Sequence, residues 1–162
     1  MRKQIRDDYW IWTGSSLGLV IIAIAVVQFI SKEAEGSGIP QMRAIMSGIY
    51  LRNMLSLWTY VAKFIGLTCM LCSGLSLGKA GPFVHLSSCI AANLPYRMMR
   101  QNKSLRHQIY TASIAVGITA ALGAPIGGVL FSIECTTTTF NLYNLWKSLY
   151  SATIAVIIFK TC

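Results

Sequence analysis

The chain has 162 residues, 54% of them hydrophobic and 12% charged, with 14 Lys and Arg against 5 Asp and Glu for a formal charge of +9. Soluble domains carry about 25% charged residues, so a chain of mean hydropathy +0.57 has too little polar surface to cover itself in water. The basic surplus sits at the edges of apolar runs, as the positive-inside rule expects of a membrane protein, and no motif of a nucleic-acid binder accompanies it.

Tyr9 to Ile30 is a charge-free stretch of 22 residues opened by Trp10 and Trp12. About 20 apolar residues span the hydrocarbon, so this stretch predicts a transmembrane helix. A signal peptide would have an apolar region of about 7–15 residues and a small-residue cleavage site, and Ser31-Lys32-Glu33-Ala34-Glu35 does not resemble one.

Ser31 to Pro40 is a polar, Gly-rich break, and Gln41 to Tyr50 then reads as a short amphipathic helix carrying Met42, Ile45, Met46 and Ile49 at helical spacing. Asn53 to Leu77 is a long apolar stretch interrupted by Lys63, and Gly78 to Pro82 is a second break. Phe83 to Tyr96 predicts a helix too short to span a bilayer, stopping near Asn93-Leu94-Pro95. A basic connector follows, with Arg97, Arg100, Lys103 and Arg106, and His107 falls in it as a solvated residue. Gln108 to Ile133 reads as two helices meeting at Gly123-Ala124-Pro125, Thr136 to Asn144 as a polar turn, and Leu145 to Phe159 as a last helix. Short apolar segments split at glycine and proline are tolerated at membrane depth only where they are buried in protein or line a cavity. Half-helices of this kind present unpaired N–H groups and a positive dipole end, which favour an anion.

Two breaks carry that design. In Gly36-Ser37-Gly38-Ile39-Pro40, proline suits a helix start, glycine allows close backbone approach and Ser37 offers a hydroxyl. Such a segment is either an anion cup or an ordinary helix start. Gly78-Lys79-Ala80-Gly81-Pro82 repeats the pattern, and Lys79 adds positive charge; the plain alternative is a glycine hinge. His85 reads first as a hydrogen-bonded residue and second as a proton group or metal ligand. Glu134 closes a long apolar run, with a structural role ahead of a role in an ion pathway. The cysteines at 69, 72, 89, 135 and 162 show no disulfide framework and read as reduced thiols. No metal site, no cofactor and no nucleophile–base pair of an enzyme is expected.

Gly-Ser-Gly-Ile-Pro at 36–40, Gly-Lys-x-Gly-Pro-Phe-Val-His at 78–85 and Gly-Ala-Pro-Ile-Gly-Gly-Val-Leu-Phe-Ser-Ile-Glu at 123–134 together resemble the CLC family of chloride channels and chloride/proton exchangers. Val61-Ala62-Lys63 and Gly66-Leu67 resemble its animal channel branch. The resemblance runs from about Trp10 to Lys160. It implies an all-α integral membrane protein with short, broken transmembrane helices, corresponding over 1–162 to the N-terminal one of the family's two inverted halves. The second half, which supplies further donors and a pore tyrosine to the same chloride site, and the cytoplasmic regulatory domains are not found. A fragment or a truncated product is therefore expected.

The resemblance further implies chloride coordination by Ser37 and by the helix starts at Gly38, Ile39, Gly81, Pro82 and Phe83. Serine at this position goes with chloride preference in the family, and proline with nitrate. Two positions depart from it. The gating glutamate belongs at Ala80, and the acid that exchangers use for protons belongs at Cys135; a thiol is a poor substitute for a carboxyl near neutral pH. The expectation is a passive chloride channel lacking the glutamate gate, with a chloride/proton antiporter or a non-conducting subunit as alternatives. Chloride and the lipid bilayer are the expected partners, with homodimerisation in the full-length form and a multi-pass location in the plasma membrane.

Overall fold

The computed structural model describes residues 2–49, 51, 53–94, 102–136 and 142–161, and all of its regular structure among them is helical. Helix α1 spans Arg2–Ile30 and ends where Ser31 turns extended, at φ −161°. A short 3-10 turn at Lys32–Ala34 leads to α2, Ile39–Met46. Next come α3, Leu57–Cys72, and α4, Ala80–Asn93. The chain finishes with α5, Lys103–Leu122, α6, Pro125–Thr136, and α7, Leu142–Thr161.

The expected short and broken helices are present, with different ends. α2 starts at Ile39 rather than Gln41, placing Pro40 in its first turn, and it stops at Met46 before Gly48. The apolar stretch at 53–77 contributes only Leu57–Cys72 as helix. α4 starts at Ala80, so Ala80, Gly81 and Pro82 form its first turn rather than a break. A proline is tolerated there because its missing N–H would have no helical partner anyway. α4 ends at Asn93, and Leu94 is extended at ψ 154°, as a residue before proline must be. Lys103, Arg106 and His107 belong to α5, not to a connector. Arg97 and Arg100 lie outside the described residues, as do 137–141 of the Thr-rich turn, and α7 begins at Leu142 rather than Leu145. The predicted Gly/Pro joint holds: Gly123 closes α5 in the left-handed conformation at φ 72°, and Pro125 opens α6.

Helix α5 lies at the centre, packed against α4, α6 and α7, while α1 pairs with α3 and α3 meets α4. One core joins Met42 and Met46 of α2, Val84 and Ala91 of α4, and Tyr110, Ile114 and Ile118 of α5. A second joins Ala115, Val129 and Ala152 of α5, α6 and α7. Small residues let the backbones approach, as in membrane helix pairs. A Cβ on Gly117 would lie 2.8 Å from the Phe83 carbonyl oxygen of α4, and one on Gly128 would lie 3.0 Å from the Ala115 carbonyl oxygen. Among the described residues one stretch, Tyr9–Ile30, is long and apolar enough to cross a bilayer by itself; α3 and α6 are apolar but shorter.

Candidate functional site

Ser37 sits between two glycines of positive φ, Gly36 at 80° and Gly38 at 84°. Gly38 is the N-cap of α2, and only glycine takes that left-handed conformation without strain. The same residue is pressed onto α4: a Cβ at Gly38 would fall 2.6 Å from His85 Cβ. One turn earlier on α4, a Cβ at Gly81 would fall 2.7 Å from Ser37 Cβ and 3.0 Å from the Ser37 carbonyl oxygen. Gly81 and His85, four residues apart, thus form one helical face on which Ser37 and Gly38 rest. The two breaks, some 40 residues apart in sequence, are a single structural unit.

At this junction two helix N-termini start. Neither carries a side-chain cap, and neither has an acidic residue in its first turn. In α2 the first intrahelical donor is Met42 N–H, bonded to the Gly38 carbonyl at 3.0 Å, so the Ile39 and Gln41 N–H groups precede the ladder. In α4 the first is Phe83 N–H, bonded to the Lys79 carbonyl at 3.2 Å, which leaves Ala80 and Gly81 ahead of it. Uncapped first-turn N–H groups and the dipole end together favour negative charge.

Beside the junction lies a cavity of about 440 Å³ between α1, α3 and the two breaks, lined by Ser37, Gly36, Glu35, Lys63, Gly78 and Pro82 among others. Ser37 is exposed and Pro82 half-buried. Ile39 turns its side chain to the α2–α4–α5 core. Lys79 is exposed as the N-cap of α4, and Ala80 is half-buried at its start. Glu134 and Cys135 lie near the end of α6, exposed and half-buried respectively, and neither lines this cavity. No bond from Glu134 to a backbone N–H, Lys or Arg occurs among the described residues.

His85 is fully buried and donates from Nε2 to the Met54 carbonyl at 3.0 Å, which agrees with its first reading as a hydrogen-bonded residue; its Nδ1 has no partner among the described residues. His107 is not solvated. Its Nε2 donates to the Met46 carbonyl at 2.8 Å, tying the start of α5 to the last turn of α2. One residue of the site was hidden in the sequence. Lys63, 6% exposed on α3, donates from Nζ to the Ala34 carbonyl at 2.7 Å and also to the Gly36 carbonyl. Its signal was a lone charge inside an apolar stretch, which gave no indication of what it touched.

The chain is similar over most of its length to known proteins. The family model for voltage gated chloride channels matches residues 18–162. Chloride channel protein 2 of Cavia porcellus is 42% identical over 165 residues, covering 99% of this chain and 18% of its own length. The Homo sapiens protein of that name is 41% identical over the same coverage. Chloride channel protein clh-3 of Caenorhabditis elegans is 40% identical over 159 residues, covering 94% of this chain and 16% of its own length. A crystal structure of a eukaryotic CLC transporter superposes with a TM-score of 0.87 at 36% identity, covering 93% of this chain and 29% of that one. The chain spans about a fifth of the length of the curated relatives it matches.

Proposed function

The chain belongs to the voltage-gated chloride channel family, whose members are multi-pass membrane proteins, and from that premise we propose that it forms one side of a passive transmembrane pathway for chloride. The observation that carries this reading is the contact of Ser37 with Gly81, which brings two uncapped helix N-termini and a serine hydroxyl to one point. Each N-terminus presents roughly half a positive charge. Chloride entering from the cavity gives up water for the Ser37 hydroxyl and for the first-turn N–H groups around Gly38, Ile39, Gly81, Pro82 and Phe83. Because Pro82 has no N–H and Phe83 N–H already serves the α4 ladder, Ala80 and Gly81 are the α4 donors with most to offer. Partial charges hold the ion without trapping it, which conduction requires. The rest of the ion's shell comes from outside this chain.

Conduction without proton exchange is the preferred mode. Ala80 has no carboxyl to swing into the pathway or to carry a proton, and Cys135 stands where exchangers have an acid. The similarity to a structure named as a transporter supports the rival reading, a chloride/proton antiporter. We also read the full-length form as a homodimer of the plasma membrane.

The deciding experiment measures chloride and proton flux together in vesicles holding the full-length form. Chloride flux with no proton movement is expected; chloride-driven proton uptake would establish the antiporter instead. Ala80→Glu should then add a block that depends on voltage and external pH. Unchanged currents would remove position 80 from the pathway.

A further inference from the structure

We propose that Lys63 is a positioning residue that sets charge selectivity, by holding the backbone carbonyls of the Ser37 loop away from the ion. This rests on the reading of Ser37 as part of an anion pathway.

Three observations support it. The first is the bonding of Lys63 itself. Its Nζ donates to the carbonyls of Ala34 and Gly36, the latter belonging to the residue just before Ser37, and no ion pair to Lys63 is found among the described residues. A buried lysine that bonds only to main-chain oxygens is spent on the shape of a loop. The second is position. Ala34, Gly36, Ser37 and Lys63 all line one cavity, so a carbonyl released from Nζ has the ion's own space to turn into. Glu35, between the two tied residues, lines it as well. The third is the way α3 supports Lys63. Thr59, one turn before it, meets Ser31 Oγ at 3.1 Å and donates to the Asn53 carbonyl at 2.9 Å. Gly66, about one turn after it, packs against Val27 of α1. A single stripe of α3 therefore grips both ends of the Ser31–Gly36 loop.

The chemistry decides the sign. Backbone carbonyls turned into a pore replace the water of a cation, and cation filters are built from rings of them. A pathway for chloride needs the opposite surface, N–H and O–H toward the ion and C=O behind. Gly36 has φ 80° and no side chain to hinder rotation of the peptide that follows it. With Nζ in place its carbonyl is fixed on the α3 side. With Nζ removed, two carbonyls beside Glu35 become available to a cation.

The test compares Lys63→Met, which keeps the length and loses every donor, with Lys63→Arg, which keeps the donors. Both are made in the full-length form, with surface abundance measured alongside. The expected result for Lys63→Met is a fall of about tenfold in chloride-over-sodium permeability, the scale of one lost hydrogen-bond set, with substantial recovery in Lys63→Arg. A merely structural lysine would lower abundance and current together and leave the permeability ratio alone, and that outcome overturns the proposal. If Lys63→Met does not accumulate, Lys63→Leu, which likewise has no donor, is judged by the same ratio. A wild-type form that passes no chloride would overturn the conduction reading separately. Lys63 is then judged on the purified chain. Thermal stabilisation by chloride over gluconate, lost in Lys63→Met, is the expected result, and equal stabilisation in both overturns the inference.

Discussion

At the scale of single residues, the site depends on atoms that are missing. Gly38 combines a φ of 84° with a position where a Cβ would meet His85 Cβ at 2.6 Å, so a side chain is opposed twice. Gly38→Ala should destabilise the protein by roughly 2–4 kcal/mol, the strain of a left-handed alanine added to overpacking of a buried histidine. Gly18→Ala, in the middle of α1 with nothing within 4 Å, is the matched control and should change stability by less than about 1 kcal/mol. Thermal unfolding in detergent reads both, and equal midpoints for the two variants would refute the account of Gly38. The helix start at Gly38 was legible because its motif is local. The role of Lys63 was not, because its carbonyl partners lie 29 and 27 residues away. His107 was misjudged for the same reason: its partner at Met46 is 61 residues distant, and the basic residues around it suggested solvent.

At the scale of helices, apolar runs and Gly/Pro breaks located the seven α-helices among the described residues but placed several ends wrongly. Gly78 to Pro82 looked like a break because glycine and proline disfavour helix interiors. Within a first turn that objection fails, and Ala80, Gly81 and Pro82 are helical. Lys103 and Arg106 looked like a connector because they belong to a cluster of basic residues between two apolar runs; positive charge also opposes the dipole at a helix start, yet α5 begins at Lys103. The packing of α5 on α4, α6 and α7 outweighs a few tenths of a kcal/mol of surface electrostatics. Spacing alone did not show that Gly117 is where α5 touches α4. A Cβ there would lie 2.5 Å from Ser87 Oγ and 2.8 Å from the Phe83 carbonyl oxygen. The hydroxyl can rotate away; the carbonyl belongs to helix backbone and cannot. Gly117→Ala should therefore cost about 1–3 kcal/mol and shift the first turns of α4, so that chloride affinity falls along with the thermal midpoint. A loss of stability with unchanged chloride affinity would show that α4 does not transmit the displacement to the site.

At the scale of the whole chain, the outer surface is as informative as the core. Phe29 of α1 is 90% exposed and Trp146 of α7 is 67% exposed, and Trp10, Trp12, Trp58, Tyr150 and Ile157 are also open. Covering one such side chain is worth about 1.5–3 kcal/mol, so several exposed together exceed the entire stability of an ordinary domain, about 5–15 kcal/mol. Water is therefore the wrong solvent for this surface. Composition made that legible, whereas among the described residues a single helical stretch, Tyr9–Ile30, is long and apolar enough to cross a bilayer. The 14 residues of α4 and the 12 of α6 do not each need to span the bilayer, because both pack along α5 inside the bundle. Ser132 Oγ of α6 donating to the Thr111 carbonyl of α5 at 2.9 Å is one such covered group. The 162-residue chain, expressed alone, should pellet with membranes, resist alkaline carbonate and come into solution only with detergent. Aggregates also pellet, so flotation with added liposomes on a density gradient is the discriminating measurement. Chain that floats with lipid has been covered by it; chain that stays at the bottom, or is recovered soluble without detergent, would mean that these aromatic and aliphatic faces find their partner in protein.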